Sequence, residues 1–111
     1  MVKYVPDRAD LIWLEFEPQK GKEICKTRPA LVISPKLYNA KVGLALCVPI
    51  TSQVKGYPFE VPIKANAVSG VILCDQIKSV DWKARNARFA GHADYQVFMQ
   101  AIEKLLVLIK A

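Results

Sequence analysis

Apolar and polar positions run in short blocks separated by turn-forming residues over most of the chain, then settle into one long periodic stretch. Asp10-Leu11-Ile12-Trp13-Leu14-Glu15-Phe16 is rich in apolar and aromatic residues and predicts a strand. The polar stretch Glu17 to Arg28, interrupted by Pro18 and Gly21, predicts a long loop of the kind that carries function. Pro29 to Ser34 resumes as a strand and stops at Pro35. Gly43 to Ile50 is a further apolar run, in which Pro49 predicts a sheet edge or a bulge. Tyr57 to Ile63 alternates after a Lys55-Gly56 turn, and two short strand-like runs, Gly70 to Cys74 and Gln76 to Val80, flank Asp75. From Asp94 onward, Phe98, Ala101, Ile102, Leu105 and Ile109 recur at three- and four-residue spacing, which is helical. Asp94 is placed to cap that helix or to complement its dipole. The apolar stripe is expected to pack on the sheet. Five or six short strands followed by one C-terminal helix, with no βαβ alternation, predict a mainly β fold. Its sheet should be mostly antiparallel and curled into a small open barrel.

The length of 111 residues suits one domain, 1–111, and no repeat or linker divides it. An apolar content of 52% supports a core without disulfides. The strongest apolar run, Leu105 to Ile109, is far short of the roughly 20 residues that cross a bilayer. Met1 to Asp7 has no apolar segment of the secretory type, so a cytoplasmic location is expected. Cys25, Cys47 and Cys74 are odd in number and irregularly spaced, which fits a reducing compartment. They form no C-x-x-C pair that could join His92 around zinc, so neither a metal nor another cofactor is expected. Cys47, inside an apolar run, reads as a small core residue.

Charge sharpens the picture. The formal net charge is +6, and the basic residues cluster: Lys20, Lys22, Lys26, Arg28, Lys36 and Lys41 face Glu23 alone, and Lys78, Lys83, Arg85 and Arg88 face only Asp81. Such clusters serve either as a solvated surface or as the footprint of a polyanionic partner.

If that polyanion is RNA and is cut, several chemistries are absent. One histidine excludes a paired-histidine acid/base mechanism, and no carboxylate cluster could hold two magnesium ions. The nucleophile would have to be the RNA's own 2′-hydroxyl. That reaction needs a proton acceptor, a fixed cation for the phosphorane, and donors that hold the phosphate in line. The Gly21 to Pro29 segment carries Glu23 and Arg28, and Pro49-Ile50-Thr51-Ser52-Gln53 carries two hydroxyls and an amide. Arginine keeps its proton, so Arg28 is a poor acceptor but a good bidentate phosphate clamp; its ordinary alternative is an ion pair with Glu23. Glu23 is either the base or the group that orients Arg28.

The residues also carry a wider pattern. Tyr4-Val5-Pro6-Asp7, Asp10-Leu11-Ile12-Trp13, Gly21-x-Glu23 with Arg28-Pro29-Ala30, Leu31-Val32-Ile33-Ser34-Pro35, Tyr38-Asn39 and Val48 to Gln53 come in order. Lys55 to Val61, Gly70-Val71, Asp75 to Ser79 and Asp81 to Arg85 follow. Over nearly its whole length the chain thus resembles the MazF/PemK family of toxin endoribonucleases, nearest its chromosomal MazF-like branch. The resemblance implies an SH3-like small barrel of the CcdB/PemK type and a homodimer. It implies metal-independent cleavage of single-stranded RNA at a short sequence, leaving 2′,3′-cyclic phosphate and 5′-hydroxyl ends and arresting translation and growth. It also implies a cognate antitoxin, whose acidic, disordered tail would lie along the same basic groove.

Arg28 and Thr51 fall on the family's main catalytic positions, and Glu23 on a position beside them. Lys22, Ser52, Gln53, Lys55, Tyr57, Asp75, Gln76 and Lys78 are candidate RNA contacts. For Asp75 an ordinary Asx turn is the alternative; the rings of Tyr57, Phe59 and Trp82 are candidates for stacking on bases, with core burial as the alternative for Phe59 and Trp82. Two features depart from the family pattern. Ile24 and Lys26 stand where many members have glutamine and glycine, and Leu73 stands where some plasmid-borne relatives have a catalytic arginine. Two other functions are compatible with the fold: a CcdB-like gyrase-binding toxin and a non-catalytic RNA-binding barrel. The first depends on a C-terminal Trp-Gly-Ile tail, whereas this chain ends Leu108-Ile109-Lys110-Ala111.

Overall fold

The computed structural model describes residues 3–16 and 26–110. Within them lie β1 (Asp10–Phe16), β2 (Lys26–Val32), α1 (Lys36–Val42), β3 (Ala45–Thr51), β4 (Glu60–Ala65), β5 (Val68–Leu73), β6 (Lys78–Val80), β7 (Arg88–His92) and α2 (Tyr95–Lys110). The strands form one curled sheet in the order β4-β5-β3-β2-β1-β7, with β6 also pairing β3, and every ladder is antiparallel. Among the described residues β4 and β7 end this order without pairing to each other, so the result is a half-barrel with a C-terminal helix, as the pattern predicts.

Side-chain alternation splits the interior in two. Leu11 and Leu31 join Val48, Ile50, Ile63, Ile72, Phe98 and Ala101 on the face covered by α2. Ile12, Leu14, Ala30 and Val32 turn to the other face with Cys47, Val80 and Trp82. Both faces of β1 and of the second half of β2 are therefore covered, which is why Leu11 to Leu14 and Ala30 to Val32 read as continuous apolar runs. Each fully buried Leu, Ile or Val contributes about 1.5–3 kcal/mol.

Several boundaries differ from the expectations. β2 begins at Lys26, so Lys26, Thr27 and Arg28 belong to a strand paired with Phe16, Glu15 and Leu14, not to the loop. The cross-strand ladder of β1 recruits these polar residues despite their composition. Pro49 lies inside β3 opposite Ala30. On the other side β6 pairs only as far as Cys47 and β5 only from Ile50 onward, so the missing N–H falls in a gap between partners.

α1 and β7 carry no strong sequence signal. In α1 only Asn39 is buried, while Leu37, Tyr38 and Val42 are exposed, so no apolar period marks the helix. Tertiary hydrogen bonds hold it instead. Pro35 offers no side-chain cap, and the Lys36 N–H donates to Asp7 Oδ1 at 2.9 Å. Asn39 Nδ2 donates to the carbonyls of Pro6 (2.8 Å) and Ser34 (3.0 Å). Trp82 Nε1 donates to the Asn39 carbonyl at 3.1 Å and its ring is buried, so of the two readings for this residue the structure supports core packing over base stacking. β7 contains Gly91 and the exposed Phe89, and forms because β1 offers it an unpaired edge.

α2 buries Phe98, Ala101 and Leu105 as expected. Ile109 does not pack: it is 66% exposed and continues an exposed run of Leu106, Val107 and Leu108. Among the described residues no helix is long and apolar enough to cross a membrane.

Candidate functional site

Where β2 begins, β3 ends and the β4–β5 turn folds over, a cleft of about 520 Å³ opens. Its walls include Trp13, Lys26, Thr27, Arg28, Thr51, Ser52, Gln53 and Ser69. The antiparallel order explains the convergence. β2 is the neighbour of β3, so the first residues of one strand lie beside the last residues of the other. Arg28 is exposed at the rim, and Thr51 is half-buried as the last residue of its strand. Lys26 and Arg28 supply positive charge, and no described residue lining the cleft is acidic.

Thr51 is held on two sides. Its backbone pairs with Val71, and its Oγ1 accepts the Gln53 N–H at 3.2 Å, which leaves the hydroxyl hydrogen to donate into the cleft. Gly70 passes so close that a Cβ there would sit 2.1 Å from the Thr51 carbonyl oxygen. Glycine is required by this approach.

Two smaller cavities share lining residues with the cleft. Beyond Thr51 and Gln53 a smaller hollow of about 180 Å³ is lined by Lys55, Tyr57, Glu60, Leu73 and Gln76. On the far side of Arg28 a small cavity is bordered by Pro29, Lys78 and Arg85. Tyr57 donates its hydroxyl to Asp75 Oδ2, and this hydrogen bond to a carboxylate raises the phenol's pKa. The Asp75 side chain is thus bound to Tyr57, while the turn beneath it is closed by the Gln76 N–H donating to the Leu73 carbonyl at 3.1 Å. Phe59 lies edge-on to Tyr57, with ring centroids 6.4 Å apart.

Arg28, Thr51, Ser52 and Gln53 therefore line the cleft, Lys55, Tyr57 and Gln76 line the hollow that shares Thr51 and Gln53 with it, Lys78 borders the separate cavity beyond Arg28, and Asp75 is joined to the hollow through Tyr57. Glu23 and Lys22 lie outside the described residues. Sequence reasoning missed Trp13, Ser69 and Glu60 as wall residues. Trp13 read as an ordinary strand position, and Ser69 and Glu60 reach the groove only through the pairing of β4 with β5. Among the described residues no group of three or more His, Cys, Asp or Glu side chains is placed to hold a metal ion.

An antiparallel half-barrel with a basic, hydroxyl-lined groove at the end of its central strand is a polyanion-binding scaffold. Residues 7–109 match the family described as PemK-like, MazF-like toxin of type II toxin-antitoxin system, and the chain belongs to that family. It is 49% identical over 107 residues to the endoribonuclease toxin MazF of Escherichia coli K12, covering 96% of both chains. With the endoribonuclease toxin ChpB of the same organism it shares 30% identity over 110 residues, covering 94% of each. Among solved structures, the MazE-MazF crystal structure (Form-III) from Deinococcus radiodurans superposes with a TM-score of 0.88. There the identity is 46%, with 96% of this chain and 97% of that chain covered.

Proposed function

We propose that this chain is a MazF-like endoribonuclease toxin that cuts single-stranded RNA without a metal ion, by attack of the 2′-hydroxyl on the adjacent phosphate. One observation carries the reading: Arg28 and Thr51 line a single basic cleft with no acidic wall residue among those described. A phosphodiester laid there meets a guanidinium on one side and a hydroxyl donor on the other.

Arg28 binds two phosphate oxygens and stabilises the charge that develops on the phosphorane. Thr51 donates to a non-bridging oxygen and holds the phosphate in line. Glu23 takes the 2′ proton or orients Arg28 for the same step. Ser52, Gln53, Lys55, Tyr57, Gln76, Lys78 and Lys22 contact the flanking nucleotides, with Asp75 acting through Tyr57. The products are a 2′,3′-cyclic phosphate and a 5′-hydroxyl.

Two partners follow. A cognate antitoxin with an acidic, disordered tail occupies the same groove, a reading supported by the MazE-MazF complexes among the structural relatives. A second copy of the chain covers the exposed apolar end of α2, where Leu106, Val107, Leu108 and Ile109 stand uncovered. The working compartment is the cytoplasm, where RNA and reduced thiols coexist.

The test is incubation of RNA in excess EDTA. The expected outcome is cleavage with cyclic-phosphate ends, abolished by Arg28→Ala and slowed about 100-fold or more by Thr51→Ala, the loss typical of one oxyanion donor. Dependence on a divalent ion, or undiminished turnover in Arg28→Ala, refutes the mechanism.

A further inference from the structure

An acidic side chain on the wall of an RNA groove repels phosphate, yet Glu60 lines the hollow beside Thr51. Its carboxylate is engaged. Oε2 accepts the Lys55 N–H at 3.1 Å and Oε1 accepts the Gly56 N–H at 2.9 Å. Gly56 has a positive φ of 80°, a conformation that turns two successive N–H groups toward one anion.

Glu60 is itself fixed. It is the first residue of β4, paired opposite Leu73 of β5, and its own N–H donates to the Tyr57 carbonyl at 3.1 Å. The segment that it grips lies over the groove and is exposed from Ser52 to Gly56. Its other ties are at its ends: the Gln53 N–H to Thr51 Oγ1, the Tyr57 hydroxyl to Asp75, and Lys104 Nζ to the Pro58 carbonyl at 2.6 Å.

We propose that Glu60 is a positioning residue, whose carboxylate clamps the backbone at Lys55 and Gly56 and so presets the segment that carries Gln53, Lys55 and Tyr57 for RNA. This deepens the proposed function and rests on that reading of the groove. The Thr51 backbone is anchored separately, by the pairing of β3 with β5, and the Gln53 N–H that meets its hydroxyl lies two residues before the clamped N–H groups, so the clamp governs chiefly how flanking nucleotides bind. Two physical effects have opposite signs here. Removing a negative charge from an RNA groove tightens binding, whereas releasing the clamp leaves a segment that RNA must order at an entropic cost, which weakens binding.

The experiment uses the full chain and a fluorogenic single-stranded RNA oligonucleotide in EDTA. Glu60→Gln keeps one carbonyl oxygen as an acceptor; KM is expected to rise about threefold, and about tenfold in Glu60→Ala, with kcat within about twofold. Gly56→Ala disturbs the same clamp from its other side, since a Cβ there meets nothing within 4 Å but inherits the positive φ. Its KM should rise too, and the double variant should be no worse than the worse single one. Amide exchange at Lys55 and Gly56 in the RNA-free chain should accelerate at least about tenfold in Glu60→Ala.

Unaltered exchange overturns the clamp whatever happens to RNA. A KM that stays the same or falls in Glu60→Ala, while the wild type cleaves, overturns the positioning role and leaves RNA cleavage standing. RNA left whole by the wild type refutes the cleavage reading and this proposal together. Thermal melting of each variant separates loss of the clamp from loss of the fold.

Discussion

Gly70→Ala tests whether the geometry of the groove is set by the close approach of β5 to the end of β3. The added Cβ lands 2.1 Å from the Thr51 carbonyl oxygen, 2.8 Å from its carbonyl carbon and 3.1 Å from Ser52 Cα. These are backbone atoms, so no side chain can rotate away, and real Cβ atoms essentially never come within 3.0 Å. The Thr51–Ser52 peptide must therefore retreat by about 1 Å, against the pairing of Thr51 with Val71 that holds it in place. Gly70 also has a φ of 147°, which an alanine adopts only with strain. Overpacking and backbone strain together should cost about 2–4 kcal/mol. For a domain of this size that lowers Tm by about 10–20 °C. A displacement of about 1 Å at the proposed phosphate ligand costs on the order of 100-fold in kcat. Cleavage of an RNA oligonucleotide, measured well below the variant's melting temperature, reads the second effect, and circular dichroism melting reads the first. The internal control is Gly43→Ala. Gly43 has a φ of 81° with nothing within 4 Å of its Cβ position, so this variant should lose only about 1 kcal/mol and keep its turnover. A Gly70→Ala protein that melts with the wild type and cleaves at full rate would refute the reasoning.

Other outcomes follow from the described contacts. Asp7 accepts the backbone N–H groups of Lys36 and Arg8, which hold its carboxyl below the ordinary value of 3.8. A carboxyl depressed in the folded state stabilises above its unfolded pKa and stops doing so as the pH falls through its folded pKa. The melting difference between wild type and Asp7→Asn should be about 0.5 kcal/mol near neutrality, the group being exposed, and should vanish as the pH drops from about 4 toward 2. A difference that widens in acid would contradict this assignment. Burial pushes the Cys47 thiol up to about 12 and the Cys74 thiol up to about 11. At pH 8 about one thiol in a thousand or fewer is ionised at either position. Peptide mapping should find both unalkylated by iodoacetamide in the folded protein and labelled after denaturation; rapid native labelling of either would place it nearer the surface.

Much of this molecule is legible in the amino-acid order because local physics sets it. The runs at β1, β3, β4 and β5 and the spacing of Phe98, Ala101 and Leu105 follow from which side chains must leave water, a property each segment carries alone. Arg28, Thr51 and Gln53 are legible for a different reason. They stand within a family pattern, and their chemistry suits a phosphodiester whatever the fold. Three-dimensional packing decided the remainder. α1 and β7 lack an apolar period, and exist because Asp7, Pro6 and Ser34 accept the hydrogen bonds of one and β1 offers an open edge to the other. Ile109 keeps the helical spacing but stays exposed, since periodicity states which face is apolar and not whether a partner surface meets it. Glu60, brought to Lys55 and Gly56 only by the turn into β4, shows no chemical role until the fold aims its carboxylate at those two N–H groups. Hydrophobic spacing is a property of neighbours along the chain. A groove belongs to residues that meet only when β2, β3 and β5 are paired side by side.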